Sequence, residues 1–211
     1  MNTSKSYDAN CVSCPRLAKH LKSVRKAYPG YHALPVAPFG TKKPKLLIVG
    51  LAPGMHGANA TGRPFTGDHA GILLYKALYK YGFSNQVSAE QPDDGLKLIN
   101  CRITNAVKCL PPENKPIGEE IQRCNRFLEN ELASLGKQFV ILALGGIAHK
   151  AVVKALELKN KDYHFGHAAL HNLGSDKWLL DSYHCSRYNT QTRRLTESMF
   201  FDIFNKVHEL I

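Results

Sequence analysis

Four cysteines have the types and spacing for a metal. Cys11-Val12-Ser13-Cys14 is a C-x2-C pair, and Cys109 and Cys124 flank a proline-rich loop. Four thiolates from two separated segments suit Zn or a [4Fe-4S] cluster, and spacing alone does not choose between them. A C-x2-C pair can also be redox-active, but nothing places Cys11 after a strand of a thioredoxin-like unit. Six cysteines are too few and too irregular for a disulfide scaffold in this length of chain. Cys101 falls inside an expected strand and reads as a small buried residue.

A second group of residues looks suited to holding a ligand. Residues 50–68 carry Gly50, Gly54, Gly57, Gly62 and Gly67. Glycine lets backbone approach a ligand closely and adopt positive φ. The segment is neither a Walker A loop nor a G-x-G-x-x-G fingerprint, and a phosphate nest is an unspecific alternative. Phe65 either stacks on an aromatic ligand or anchors the loop in the core. Asp68 either positions water and stabilises a cation or caps the helix that follows. Asn105 offers both a donor and an acceptor, as a base edge requires. His184 stands on a strand-end loop beside Ser186 and Arg187, a better place for chemistry than a core. Arg187, Arg193 and Arg194 precede any acid in that loop and suit phosphate contacts.

Periodicity supplies the elements that must hold these residues. Helical spacing is expected over 14–28, 71–81, 118–135, 147–158 and 192–210. Short apolar runs at 45–49, 98–107, 139–144 and 178–182 read as buried strands. Strands alternating with helices imply an α/β fold with a parallel sheet covered on both faces. Ligands in such folds bind at the carboxyl ends of strands. The loops after Val49, Val107, Leu144 and Ser182 should therefore surround one site.

Length and composition fit one domain with room for an arm or an insertion: 211 residues, 44% hydrophobic and 21% charged. No stretch approaches the ~20 apolar residues of a membrane helix. Residues 1–6 have no apolar core, so no secretory signal is expected, and the reading is a soluble intracellular protein. The net charge is +11. Residues 1–50 carry nine Lys or Arg against one acid, Asp8, so most of the excess is concentrated there. Concentrated positive charge suits a polyanionic partner.

The combination resembles the iron–sulfur-containing uracil-DNA glycosylases, and most of all the type-5 (B-type) family. The residues that carry the resemblance are Cys11 and Cys14, the run 50–54 continuing through 62–68, and 103–109. Cys124, the run 143–146, His184-x-Ser186 leading to Asn189, and Arg194-Leu195-Thr196 complete it. The resemblance covers the chain from Cys11 to about Met199. It implies a three-layer α/β/α sandwich with a parallel four-stranded sheet, and a single glycosylase domain whose residues 1–44 form a basic anchored arm. It implies a [4Fe-4S] cluster on Cys11, Cys14, Cys109 and Cys124, with Zn as the alternative. Gly54, Phe65, Asn105 and His184 would then contact the base, and Asp68 and His184 would be catalytic. Two departures matter. Type-4 relatives carry a Glu where this chain has Leu51, which cannot activate water. The usual His-Pro-Ser is His184-Cys185-Ser186 here.

The implied activity is monofunctional hydrolysis of the N-glycosidic bond of uracil in DNA, with hypoxanthine and xanthine as further substrates. The enzyme would act as a monomer in a prokaryotic cytoplasm, at the nucleoid. Tyr188, or Arg187, would fill the space left by the extruded base. Two other classes stay open: a non-catalytic metal-stabilised nucleic-acid-binding protein, and a nucleotide-processing α/β enzyme. Substituting Lys19, Lys22, Arg25 and Lys26 together should weaken DNA binding and flatten its salt dependence, measured as the slope of log K against log salt. An unchanged slope would return that charge to a solubility role.

Overall fold

A computed structural model of the chain describes residues 5–211; the opening segment read above for a secretory signal lies largely outside them. In chain order the elements are α1 (Pro15–Ala27), β1 (Phe39–Gly40), β2 (Leu46–Gly50), α2 (Ala58–Thr61), α3 (His69–Lys80), β3 (Cys101–Asn105) and α4 (Gly118–Ala133). They continue with β4 (Phe139–Leu144), α5 (Gly146–Ala155), β5 (Leu170–Asn172), β6 (Lys177–Ser182), α6 (Arg187–Gln191) and α7 (Glu197–Leu210).

The sheet runs β1-β3-β2-β4-β6-β5. Its inner four strands are all parallel, as the apolar runs required. The expected four-stranded sheet is thus the core of a six-stranded one. Strands β1 and β5 add antiparallel edges of two and three residues. Segments that short, half exposed, have no periodicity to read.

Successive strand residues point to opposite faces, and each face buries its own cluster. Leu46, Ile48, Ile103, Leu142 and Leu180 meet Leu74 and Leu78 of α3 and Phe200, Ile203 and Phe204 of α7. Leu47, Val49, Ile141 and Leu179 meet Leu128 of α4 and Val152 of α5. Helix α1 packs outside this sandwich: Leu17, Leu21 and Val24 bury against Val107, Leu110 and Phe127. Among the described residues no helix is long and apolar enough to cross a membrane.

The helix expected over 192–210 starts only at Glu197, and a separate short helix, α6, ends at Gln191 before it. Arg193 has φ +57, which an α-helix cannot hold, so α6 ends before it. Helix α7 starts at Glu197, where the Thr196 side chain accepts a hydrogen bond from Met199 N. Replacing Thr196 by Ala should cost about 1 kcal/mol, read from the midpoint of urea unfolding.

Candidate active site and cysteine centre

The carboxyl ends of the parallel strands open on a cavity of about 550 Å³. Phe65, Asp68, Asn105, Leu144 and His184 stand on its wall. Gly50 of β2 pairs with Asn105 of β3, and Leu144 of β4 with Ser182 of β6. The sheet therefore ends level, and the loops that follow converge as expected.

Missing side chains make the room. A Cβ on Gly50 would sit 2.5 Å from Asn105 Oδ1 and 2.8 Å from the Phe65 ring. A Cβ on Gly57 would fall inside the Asp68 carboxyl group. These glycines are required by the side chains packed over them. Phe65 anchors the loop in the core and also faces the cavity. It is 6% exposed within a core cluster, and it lines the cavity. Its φ of +56 turns the ring inward beside His184, with ring centroids 5.9 Å apart and planes 25° from parallel.

That turn is held from behind. Arg63 is buried and makes paired hydrogen bonds of 2.9 and 2.7 Å to Asp94, and its Nε donates to Thr66 Oγ1 at 2.7 Å. The hydrogen bonds from Arg63 hold the Asp94 carboxyl down at about 2. Tyr75 OH donates to the Pro64 carbonyl at 2.8 Å. Arg63 is therefore a strut rather than a free cation.

Asp68 occupies the N-cap position of α3, yet its side chain caps nothing there. It turns to accept a hydrogen bond from Ala58 N at 3.1 Å, at the start of α2. Burial raises its pKa, and the Ala58 N–H pulls partly the other way. Among the described residues Asp68 is the one acid on the cavity wall; Leu51 is there too, as an apolar surface.

Among the described residues His184, which follows β6, has no charged partner. Burial pushes its pKa down to about 4, so the ring is neutral at pH 7. Its Nδ1 is enclosed and has no hydrogen-bond partner. Its backbone is pinned instead: Asn189 Nδ2 donates to the His184 carbonyl at 2.8 Å, and Ser186 caps α6. Asn105 Oδ1 is likewise buried and unpartnered. Two orphaned polar atoms on one cavity wall are a feature that a ligand would complete.

The four cysteines come together where α1, the loop after β3 and α4 meet. Cys109 and Cys124 are buried, with Cys11 and Cys14 packed against the same cluster. Burial, then the neighbouring Cys124, Cys11 and Cys14, pushes the Cys109 thiol up to about 12. Burial likewise raises Cys14 and Cys124. Lys108 N donates to Cys124 Sγ at 3.3 Å, and Arg126 reaches Cys11 Sγ at 3.7 Å. Cys101 is buried in β3, away from this centre, as its strand position required.

Sequence reading missed Lys108, which is 2% exposed. Its ammonium donates to Thr104 Oγ1 and to the Asn105 carbonyl at 2.9 Å, with Glu131 3.5 Å away. A lysine within the otherwise apolar run 106–110 was the only signal of it.

The cationic residues fall in two places. Lys19, Lys22, Arg25 and Lys26 are exposed on α1, and Arg25 also donates to the Ala33 carbonyl at 2.8 Å. Arg187 stands at the cavity, Tyr188 beside it is 69% exposed, and Arg193 is exposed. The Arg194 guanidinium lies 4.7 Å over the Tyr183 ring.

The model of the uracil DNA glycosylase superfamily matches residues 37–208. The chain is 42% identical over 205 residues to a type-5 uracil-DNA glycosylase of Thermus thermophilus, covering 95% of this chain and 93% of that protein. It is 39% identical to one of Mycobacterium bovis, covering 95% and 78%. It is 37% identical to one of Pyrobaculum aerophilum, covering 93% and 87%.

Gly57→Ala should destabilise the fold by about 1–3 kcal/mol, because the new methyl group displaces a packed carboxyl group. Adding Asp68→Ala should restore much of that loss. Urea unfolding of both singles and the double measures the coupling, and strict additivity would show that the two residues do not compete for the space.

Proposed function

The chain belongs to the uracil DNA glycosylase superfamily, and we propose that it hydrolyses the N-glycosidic bond of uracil in DNA as a monofunctional type-5 enzyme. The observation that carries this is the Asn105 amide, buried beside Phe65 with an unpartnered Oδ1. An unsatisfied buried acceptor costs ~1–3 kcal/mol. The imide N–H of uracil satisfies it, while the amide NH2 donates to the adjacent carbonyl of the base. Phe65 offers its face to the base, and Gly54 leaves the backbone open to it.

Cleavage builds positive charge on the sugar and negative charge on the leaving base. Asp68 faces the first: its carboxylate stabilises the sugar cation and orients the water that adds to C1′. With Leu51 apolar, no other acid among the described residues of the wall competes for that role. His184, held neutral by burial, donates a hydrogen bond to the departing base, whose electrons leave with N1. The apolar wall of Leu51 and Ala52 places no group that rejects a purine, which supports hypoxanthine and xanthine as further substrates.

Extruding a base costs a few kcal/mol. Lys19, Lys22, Arg25, Lys26, Arg187, Arg193 and Arg194 would hold phosphates during that step. Tyr188, exposed and next in sequence to Arg187 of the cavity wall, would fill the gap in the stack, with Arg187 as the alternative wedge. The partner is DNA containing deaminated bases, met by a monomer in the cytoplasm at the nucleoid.

Cys11, Cys14, Cys109 and Cys124 are suited to a [4Fe-4S] cluster. All four donors are thiols in one apolar pocket, and their sulfurs receive N–H groups from Lys108 and Arg126. One Zn is the alternative occupant of the same four thiols. When bound, the cluster supplies a cross-link between chain segments rather than redox chemistry. It would anchor residues 1–44 as an arm of one glycosylase domain.

Excision from oligonucleotides carrying one uracil, hypoxanthine or xanthine tests the reading. Asp68→Asn and His184→Ala should each slow single-turnover release by about a hundredfold or more, and Phe65→Ala by roughly tenfold. Activity should fall on acidification through a value above the ordinary 3.8 of aspartate, because the carboxylate is the working form. Full rates in both catalytic variants would refute the assignment.

A further inference from the structure

A second set of ligand-type side chains lies away from the cavity. His149 on α5, His171 on β5 and Asp181 on β6 bring one donor atom each to within 4.8 Å of the others. None of the three lines the cavity, and no cysteine takes part. Asp181 is fully buried. Its Oδ1 lies 2.8 Å from His149 Nδ1, and its Oδ2 lies 3.3 Å from His171 Nε2. Among the described residues no other side chain shares this carboxylate.

The hydrogen count on His149 is what makes the set informative. Its Nε2 lies 3.0 Å from the Tyr163 carbonyl oxygen. A carbonyl only accepts, so Nε2 carries the hydrogen. In a neutral ring Nδ1 is then a lone pair facing a carboxylate oxygen. Two acceptors at 2.8 Å repel, so a positive centre must join them: either a shared proton, on the ring or on the carboxyl, or a cation. A metal-binding histidine commonly donates its far N–H to a backbone carbonyl, which fixes the near nitrogen on the metal. His149 has that arrangement with Tyr163.

His171 completes the set from the sheet edge. Its side chain is 14% exposed. It borders a surface depression of about 520 Å³ lined also by Glu157, Asp162 and Lys159. The depression gives an entry path, with two carboxylates against one lysine on its rim. Two imidazoles and one carboxylate make a borderline N/O set, the kind that binds Zn2+ with a water in the fourth position.

We propose that His149, His171 and Asp181 form a structural divalent-cation site of the Zn2+ class, separate from the four cysteines. Its place in the fold explains what it would do. Asp181 immediately precedes Ser182, whose carbonyl accepts Gly145 N at 2.8 Å, and His184 follows three residues on. His149 lies on α5, next to Ala148 of the cavity wall. A cation here ties β6 to α5 and braces the segment that carries His184, without touching substrate.

The test is titration of the EDTA-treated protein with Co2+ and then Zn2+. One equivalent of Co2+ should bind with weak visible bands and without intense thiolate-to-cobalt charge transfer, and Zn2+ should displace it. Zn2+ should raise the Tm of the wild type. His171→Ala should weaken Zn2+ binding by about a hundredfold and abolish the Tm shift. His171→Gln serves the same purpose if the alanine variant misfolds. The proposal is overturned if the wild type shows no Zn2+-dependent shift, which would leave a buried imidazole–carboxyl pair sharing a proton. It is equally overturned if the shift survives loss of His171 or carries a thiolate signature.

Discussion

The ammonium of Lys108 is enclosed by protein, and the groups around it join the cavity to the cysteine centre. A buried charge must be paired and hydrogen-bonded to be tolerated. Lys108 meets Thr104, the Asn105 carbonyl and Glu131, and Arg102 holds Glu131 from the other side at 2.6 Å. The same residue donates its backbone N–H to Cys124 and accepts Val36 N at its carbonyl. One side chain and its own peptide groups thus fix the end of β3, the start of the cysteine loop, α4 and the incoming arm. Asn105 cannot shift without disturbing the sulfur centre, and the converse holds as well.

On the other side of the cavity the constraint is space. Gly50, Gly54 and Gly57 leave the volume into which Asn105, Phe65 and Asp68 fold. The positive φ of Phe65 is backbone strain, tolerated because Arg63, Asp94 and Tyr75 hold its neighbours. Such a loop has little freedom left to lose when a flat ligand enters, and pre-organisation of this kind lowers the entropic cost of binding. Burial without a counter-ion then sets the two titratable groups apart: Asp68 is raised and His184 is lowered.

The excess positive charge has a structural counterpart. Helix α1 buries Leu17, Leu21 and Val24, so Lys19, Lys22, Arg25 and Lys26 are left facing water. That helix begins directly after the C-x2-C pair and packs in the cluster that also includes Ala52 of the cavity wall. Apolar packing fixes α1 in the cluster that reaches the cavity wall; its basic face contributes nothing to the core.

By itself the sequence determined the layered α/β architecture, because strands buried on both faces must be apolar throughout and the helices between them must be amphipathic. It also determined which residues to watch, since Cys11, Cys14, Phe65, Asp68, Asn105 and His184 stand in runs that read as strand ends and loops. Tertiary structure decided everything that depends on contacts between distant residues. The edge strands β1 and β5 exist only because an edge was open to pair with. Whether Asp68 caps its helix or turns to Ala58 depends on the space beside Gly57. The roles of Lys108 and of the His149–His171–Asp181 set come from partners far apart in the chain. Local periodicity reports which side of an element meets the core; it holds no record of which buried polar groups will find one another there.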